Sequence, residues 1–150
     1  MSSVMDNVLS SAVKHIGIFI FEEAEELDFA GPYEVFTMIN TVLQHRKEPD
    51  AVKVTLISKD GKDITGKKGM RVGAHAAMTD IDKLDVICVP GGMGARAQIR
   101  DAAVIDWVKS VAPTCEWVTS VCTGSFILAK AGLTEGKRLS TFWGAFDKFK

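Results

Sequence analysis

Four short runs of nearly uninterrupted apolar residues dominate this chain: His15 to Phe21, Lys53 to Ser58, Asp85 to Pro90 and Trp117 to Val121. Each is too short for a helix of ordinary length and is rich in β-branched and aromatic residues. That pattern fits strands buried on both faces, as in a parallel sheet. The stretches between them carry helical signals. Val35, Phe36, Ile39, Val42 and Leu43 recur at helical spacing, and Pro32 suits the first turn of that helix. Asp101 is placed to cap a helix running to about Val111, and Gly132 to end one over Thr123 to Ala131. Strands alternating with helices imply βαβ units and a doubly wound, mostly parallel sheet. The Gly- and Lys-rich segment from Asp60 to Met78 breaks this alternation and predicts a hairpin with short strands near Ile64 and Met70 to Val72. A further strand is expected over Arg138 to Thr141 and the start of a helix over Ala145 to Lys150.

Ligands of such sheets bind beyond the carboxyl ends of the strands. Three loops fall there: the one leading to Asp28, the Gly91-Gly92 turn after the Cys88 strand, and Cys122 after the Trp117 strand. In Ser120-Val121-Cys122-Thr123-Gly124 an apolar strand runs through a small-residue turn directly into a helix, the layout of a nucleophile elbow. The elbow lifts the Cys122 side chain to the end of the sheet. The helix beneath favours a thiolate, and the Thr123 N–H is placed to donate to an oxyanion. Cys88, inside a strand, and Cys115, in a loop, read as structural thiols. Pro90-Gly91-Gly92-Met93-Gly94 is either a plain tight turn or a backbone oxyanion donor. It matches neither common phosphate-binding pattern. Asp28 taken alone is a helix cap or first-turn carboxylate; its functional reading is a carboxylate hydrogen-bonded to Cys122. His75 reads as a surface residue, and Glu22 to Glu26 as a solvated acidic loop.

At these residues the chain resembles a known family. Leu27-Asp28-Phe29-Ala30-Gly31-Pro32, Asp85-Val86-Ile87-Cys88-Val89-Pro90-Gly91-Gly92 and Val118-Thr119-Ser120-Val121-Cys122-Thr123-Gly124-Ser125 are similar to motifs of the PfpI-like superfamily, and of its isocyanide hydratase branch in particular. The resemblance implies a three-layer α/β/α sandwich with a flavodoxin-like sheet, the fold of class I glutamine amidotransferases. It implies Cys122 as nucleophile, Asp28 as acid/base, Thr123 supplying hydroxyl and N–H, and the Gly92 N–H completing the oxyanion region. The implied reaction is hydration of an isocyanide to an N-substituted formamide, by a homodimer without a cofactor. Two departures stand out. Many relatives carry His where Phe142 stands, which weakens a protease or amidase reading, since those chemistries usually pair Cys with His. Relatives also run past Lys150, so the domain over residues 15–150 is expected to lack the family's C-terminal strands.

Two other readings follow from the same resemblance. One is a ligand- or redox-sensing domain of the kind found in AraC-type regulators, in which Cys122 is oxidised rather than turning over. The other is a stress-related glyoxalase, deglycase or amidase. That branch usually holds Glu at the place of Asp28 and often the His that is Phe142 here.

Charge and composition narrow the classes. With 18 Lys and Arg against 19 Asp and Glu, a net charge of -1 gives no electrostatic reason to expect nucleic acid or an anionic membrane as a partner. No apolar run approaches the roughly 20 residues that span a bilayer. Residues 1–14 lack the apolar core of a signal peptide and are expected to form a flexible leader. Three cysteines, an odd count with no C-x-x-C pair, and three histidines without ligand spacing argue for a reducing, cytoplasmic setting, no disulfide framework and no metal. The expected partner is a small-molecule substrate.

Overall fold

The structure, a computed structural model, describes residues 13–148. Strand β1 (Lys14–Phe19) lies at the centre of the main sheet. On one side it pairs with β2 (Val52–Ser58), and on the other with β6 (Val86–Val89). β5 (Ala76–Ala77) extends the β2 side and β7 (Trp117–Ser120) the β6 side, giving the order β5-β2-β1-β6-β7 with every pair parallel. β3 (Ile64–Thr65) and β4 (Arg71–Val72) form the expected antiparallel hairpin apart from it.

The near-continuous apolar run of β1 follows from its central place. Ile18 pairs with Leu56 on one side and Cys88 on the other, and Ile18 and Phe19 are fully buried. At Gly17 an added Cβ would meet Leu84 and Ile57 side chains at 2.5 and 2.8 Å, so neighbouring aliphatics fill the place of its missing side chain. The Phe19 ring packs against Trp107, with centroids 5.4 Å apart, and against Phe21 at 5.6 Å.

Helix α1 (Glu26–His45) links β1 to β2; α2 (Ala95–Arg100) and α3 (Ala102–Val111) link β6 to β7; α4 (Gly124–Lys130) follows β7. The two crossovers leave the centre in opposite directions. Right-handed connections therefore put α1 on one face and α2 and α3 on the other, giving three layers. The order reverses between β1 and β6, and the crevice beyond their carboxyl ends is where such a sheet binds ligands. Asp101 caps α3 by accepting from the Ala103 N–H at 3.1 Å, and Gly132, at φ +75°, terminates α4.

Several expectations are corrected. Helix α1 begins at Glu26, so Pro32 lies in its interior rather than its first turn. Lacking an N–H, Pro32 cannot bond the Asp28 carbonyl as an uninterrupted helix would. Val35, Ile39 and Val42 form an exposed stripe on α1, while Phe29 and Leu43 reach the core. The acidic loop is only partly solvated. It docks the β3–β4 hairpin, with the Glu23 N–H donating to Thr65 O and the Lys67 N–H to Ala24 O, both at 2.9 Å. Lys67 pairs with Glu23 and Lys68 with Glu25, while the buried Glu26 accepts from the Lys68 N–H. Arg138 to Thr141 forms no strand: the segment makes no ladder with β7, and Arg138, Leu139 and Ser140 are exposed. A 3-10 helix over Trp143–Lys148 stands where an α-helix was expected to start, and that expectation's last two residues lie outside the described ones. The expected leader also lies outside them, except for Val13 and for Lys14, which opens β1.

α4 sits directly on the end of β6. A Cβ on Gly124 would come within 2.0 Å of the Val89 carbonyl oxygen, a backbone atom that cannot turn away. Gly124→Ala is expected to destabilise the fold by about 3 kcal/mol, near the upper end for ordinary single substitutions. The urea midpoint should fall with an unchanged slope; an unchanged midpoint would contradict this packing.

Candidate active site

The loops after β1, β6 and β7 meet at one end of the sheet, as the sequence predicts. The β1 and β6 loops are stitched together by backbone: the Glu25 N–H donates to Gly91 O at 2.9 Å, and the Gly94 N–H to Glu23 O at 3.2 Å. This closeness needs glycine. Gly92 has φ +112°, and a Cβ there would lie 2.4 Å from the Glu25 nitrogen. The β7 loop closes on the same turn, because a Cβ on Gly91 would meet the Thr123 nitrogen at 2.5 Å and Cys122 Cβ at 3.0 Å.

Cys122 adopts φ +53°, a left-handed conformation uncommon for a residue with a side chain. The chain turns there from β7 into α4. The Val121 N–H still donates to Val89 O at 3.0 Å, and the Gly124 N–H returns to Val121 O at 2.9 Å. This is the elbow expected from the sequence, and it leaves Cys122 partly exposed.

Asp28 sits in the first turn of α1 and is buried, at 7% exposure. Its Oδ2 accepts from the Gly91 N–H at 3.0 Å, and the Cys122 thiol lies beside the same carboxyl group, near enough to favour its charged form slightly. Burial pushes the Asp28 carboxyl above its ordinary range, while the bonds from Gly91 and Cys122 pull it partly back. Asp28 is thus both a first-turn carboxylate and a neighbour of the cysteine. Thr123 is held by Gly92, whose N–H donates to Thr123 Oγ1 at 3.0 Å. The Gly92 N–H is therefore already engaged in fixing the threonine side chain. Among the described residues the Thr123 N–H has no protein acceptor, so of the two it is the one free to receive a ligand oxygen.

These groups open on a pocket of about 720 Å³. Its polar floor is Asp28, Cys122 and Thr123; Met93, Ile99, Phe126 and Phe142 supply apolar wall, and Arg96 also lines it. Phe142 thus reaches the site from the place where many relatives have His, and contributes apolar surface instead of a base. The wall residues were not legible in the sequence, since Ile99 and Phe126 look like ordinary helix positions. The Gly91 N–H, the donor to Asp28, was signalled only by the glycine pair.

The other chemically interesting residues lie elsewhere. Cys88 is buried in β6, and burial raises its thiol above the usual range; Cys115 is raised in the same way, with its Sγ 3.5 Å from Val111 O. His75 is exposed beside β2, toward the opposite edge of the sheet, and its Nδ1 accepts from the Leu56 N–H at 3.0 Å. Among the described residues no cluster of three or more His, Cys, Asp or Glu side chains could hold a metal ion, and no helix is long and apolar enough to cross a membrane.

Comparison with known proteins agrees with this architecture. The family model described as the DJ-1/PfpI family matches residues 14–150, and the chain belongs to that family. It is 39% identical over 132 residues to the isonitrile hydratase of Pseudomonas putida, covering 88% of this chain and 54% of that one. The chain thus spans about half the length of that hydratase. It is also 48% identical over 52 residues to a helix-turn-helix-type transcriptional regulator of Mycobacterium tuberculosis, covering 35% of this chain and 20% of the regulator. Among solved structures, a ThiJ/PfpI family protein from Pseudomonas syringae superposes with a TM-score of 0.73 at 24% identity, over 89% of this chain and 52% of that one. That likeness supports the fold: an α/β sandwich around a mostly parallel, flavodoxin-like sheet.

The raised Asp28 carboxyl has a consequence for stability. Between the ordinary carboxylate range near 4 and its raised native value, the folded chain keeps a proton that the unfolded chain has lost. The contribution of Asp28 is therefore fully present below about pH 4 and is lost as pH rises through the native value. Asp28→Asn keeps an oxygen for the Gly91 N–H but has no proton to lose. Relative to the parent, its denaturation midpoint should rise as pH increases through this window; a constant difference would contradict the assignment.

Proposed function

We propose that this chain carries the site of a cysteine-dependent hydratase that converts an isocyanide to an N-substituted formamide. The observation that carries the proposal is Cys122, held left-handed at the floor of a largely apolar pocket beside a buried carboxyl group whose proton affinity burial raises. An isocyanide is an uncharged molecule with an apolar substituent and a reactive terminal carbon. It needs a soft nucleophile, a nearby proton and an apolar enclosure, and it needs no strong base. The 39% identity to a protein named isonitrile hydratase supports the same chemistry.

The steps follow from the groups present. The Cys122 thiol passes its proton to Asp28, and the sulfur attacks the terminal carbon. Asp28 returns the proton to that carbon, leaving a thioimidate with one new C–S and one new C–H bond. Water then adds to the same carbon, with Asp28 taking a water proton and delivering it to nitrogen. The Thr123 N–H receives the oxygen as its charge develops. The C–S bond breaks as the carbonyl forms, the formamide leaves, and the last proton returns to sulfur. The sum is one isocyanide and one water giving one formamide. Asp28, whose raised carboxyl holds a proton at higher pH than an ordinary aspartate, both donates and accepts in this scheme.

A second reading draws support from the 48% identity to a transcriptional regulator over 52 residues and from Phe142 in place of a His. In it the same pocket senses a small ligand without turning it over.

Conversion of an aryl isocyanide to its formamide, followed by absorbance, separates the two. The hydratase reading expects turnover in the parent and only background conversion with Cys122→Ala. Unimpaired turnover in the variant would remove Cys122 from the chemistry. Tight binding of the isocyanide by a folded parent that makes no formamide would favour the sensor.

A further inference from the structure

The Cys122 carbonyl has an unusual set of partners. In a helix running through the elbow it would accept from the Phe126 N–H, but that N–H donates to Thr123 O at 3.1 Å. Two hydroxyls serve the carbonyl instead. Ser125 Oγ and Thr141 Oγ1 each lie 3.1 Å from Cys122 O, and they lie 2.9 Å from each other. Two hydroxyl protons cover three contacts, so one hydroxyl donates to the other while the second donates to the carbonyl. Ser125 is 1% exposed and belongs to α4, so its contact is a local one made three residues back. Thr141 comes from a distant segment that forms neither strand nor helix, immediately before the 3-10 helix Trp143–Lys148. Its near neighbours Phe142, Gly144 and Ala145 line the pocket.

We propose that Thr141 is a positioning residue for Cys122: its hydroxyl fixes the left-handed elbow and ties the Phe142 wall of the pocket to the nucleophile. A non-glycine residue at φ +53° persists only where its surroundings over-determine it. Here the amide side of the elbow is held by β6 and the carbonyl side by the hydroxyl pair. Without the threonine hydroxyl, the carbonyl keeps only the bond from Ser125, made within its own α4, and the elbow loses its tie to the 141 segment, so the thiol is freer to leave Asp28. The same hydroxyl anchors a segment that joins no ladder of the main sheet. This role depends on the side chain at 141 and not on the one at 142, so it holds with Phe142 as it would with another residue there. The proposal rests on Cys122 being the nucleophile and is independent of which substrate it attacks.

Alkylation of Cys122 by iodoacetamide, read from the mass of its peptide, tests this beside isocyanide turnover. Three chains are compared: the parent, Thr141→Val and Thr141→Ser. Losing a hydrogen bond that holds the reacting geometry is expected to slow alkylation about tenfold in the valine variant, and to lower kcat by a similar factor with KM within about twofold. The serine variant should return to within about twofold of the parent on both measures. Thr141→Ala, which removes the hydroxyl without adding a branch, should match valine and replaces it if the valine chain does not fold. A raised KM with kcat and alkylation unchanged would make Thr141 a wall residue only and overturn the proposal. So would a serine variant as impaired as valine. If the parent makes no formamide, the hydratase reading fails separately and alkylation still decides: equal rates in parent and valine variant overturn the positioning role, and a tenfold loss restored by serine upholds it.

Discussion

The hydrogen bond from the Gly91 N–H to the buried Asp28 carboxyl joins the two halves of the doubly wound sheet at the point where the strand order reverses. Asp28 comes from the helix after β1, and Gly91 from the turn after β6. The β7 loop then packs onto that turn so tightly that neither Gly91 nor Gly124 has room for a methyl group. One polar contact thus fixes the Asp28 carboxyl group, and two glycine approaches bring Cys122 and Thr123 against it. A buried carboxyl group is unfavourable in itself, and the Gly91 N–H, with the neighbouring Cys122 thiol, offsets its burial in part. The fold keeps a strained, partly desolvated constellation at this end of the sheet, as reactive sites commonly do.

The pocket around that constellation is walled largely by apolar side chains. Where a histidine would provide a second base, Phe142 provides apolar surface, and Phe126 and Ile99 continue it. Asp28, Cys122 and Thr123 meet beside this apolar surface, and Glu25 and Arg96 add charged groups to the lining. The Asp28 carboxyl accepts from the Gly91 N–H and lies beside the Cys122 thiol. The exposed apolar stripe of α1 and the outer edge of β7, bearing the exposed Trp117, lie away from this pocket.

Much of this was legible in the sequence because backbone and core constraints are written locally. The four apolar runs became four parallel strands, with boundaries shifted by one or two residues, and Asp101 and Gly132 mark helix ends by chemistry that needs no tertiary context. The elbow was readable because a strand entering a helix through Cys-Thr-Gly leaves few conformations. Legibility ended where partners come from afar. Pro32 pointed to a helix start, but the start is set at Glu26 by a loop that docks onto a hairpin forty residues on. The Gly91-Gly92 turn read equally as a tight turn or an oxyanion donor, and only the distant Thr123 side chain shows where the Gly92 N–H points. The β-strand pattern of Arg138 to Thr141 was misleading because no neighbouring strand receives it, and Thr141 found the elbow instead. Nothing local to Thr141 announces that bond.

The proposed chemistry has sulfur from Cys122 bonding to the isocyanide carbon with Asp28 moving the proton. The most direct measurement is acid quenching during steady turnover of an aryl isocyanide, followed by peptide mass analysis. The peptide bearing Cys122 should carry the added mass of one isocyanide during turnover and lose it once the substrate is consumed. Formamide formed at full rate while that peptide stays unmodified throughout, with an adduct of that mass on another residue, would contradict it.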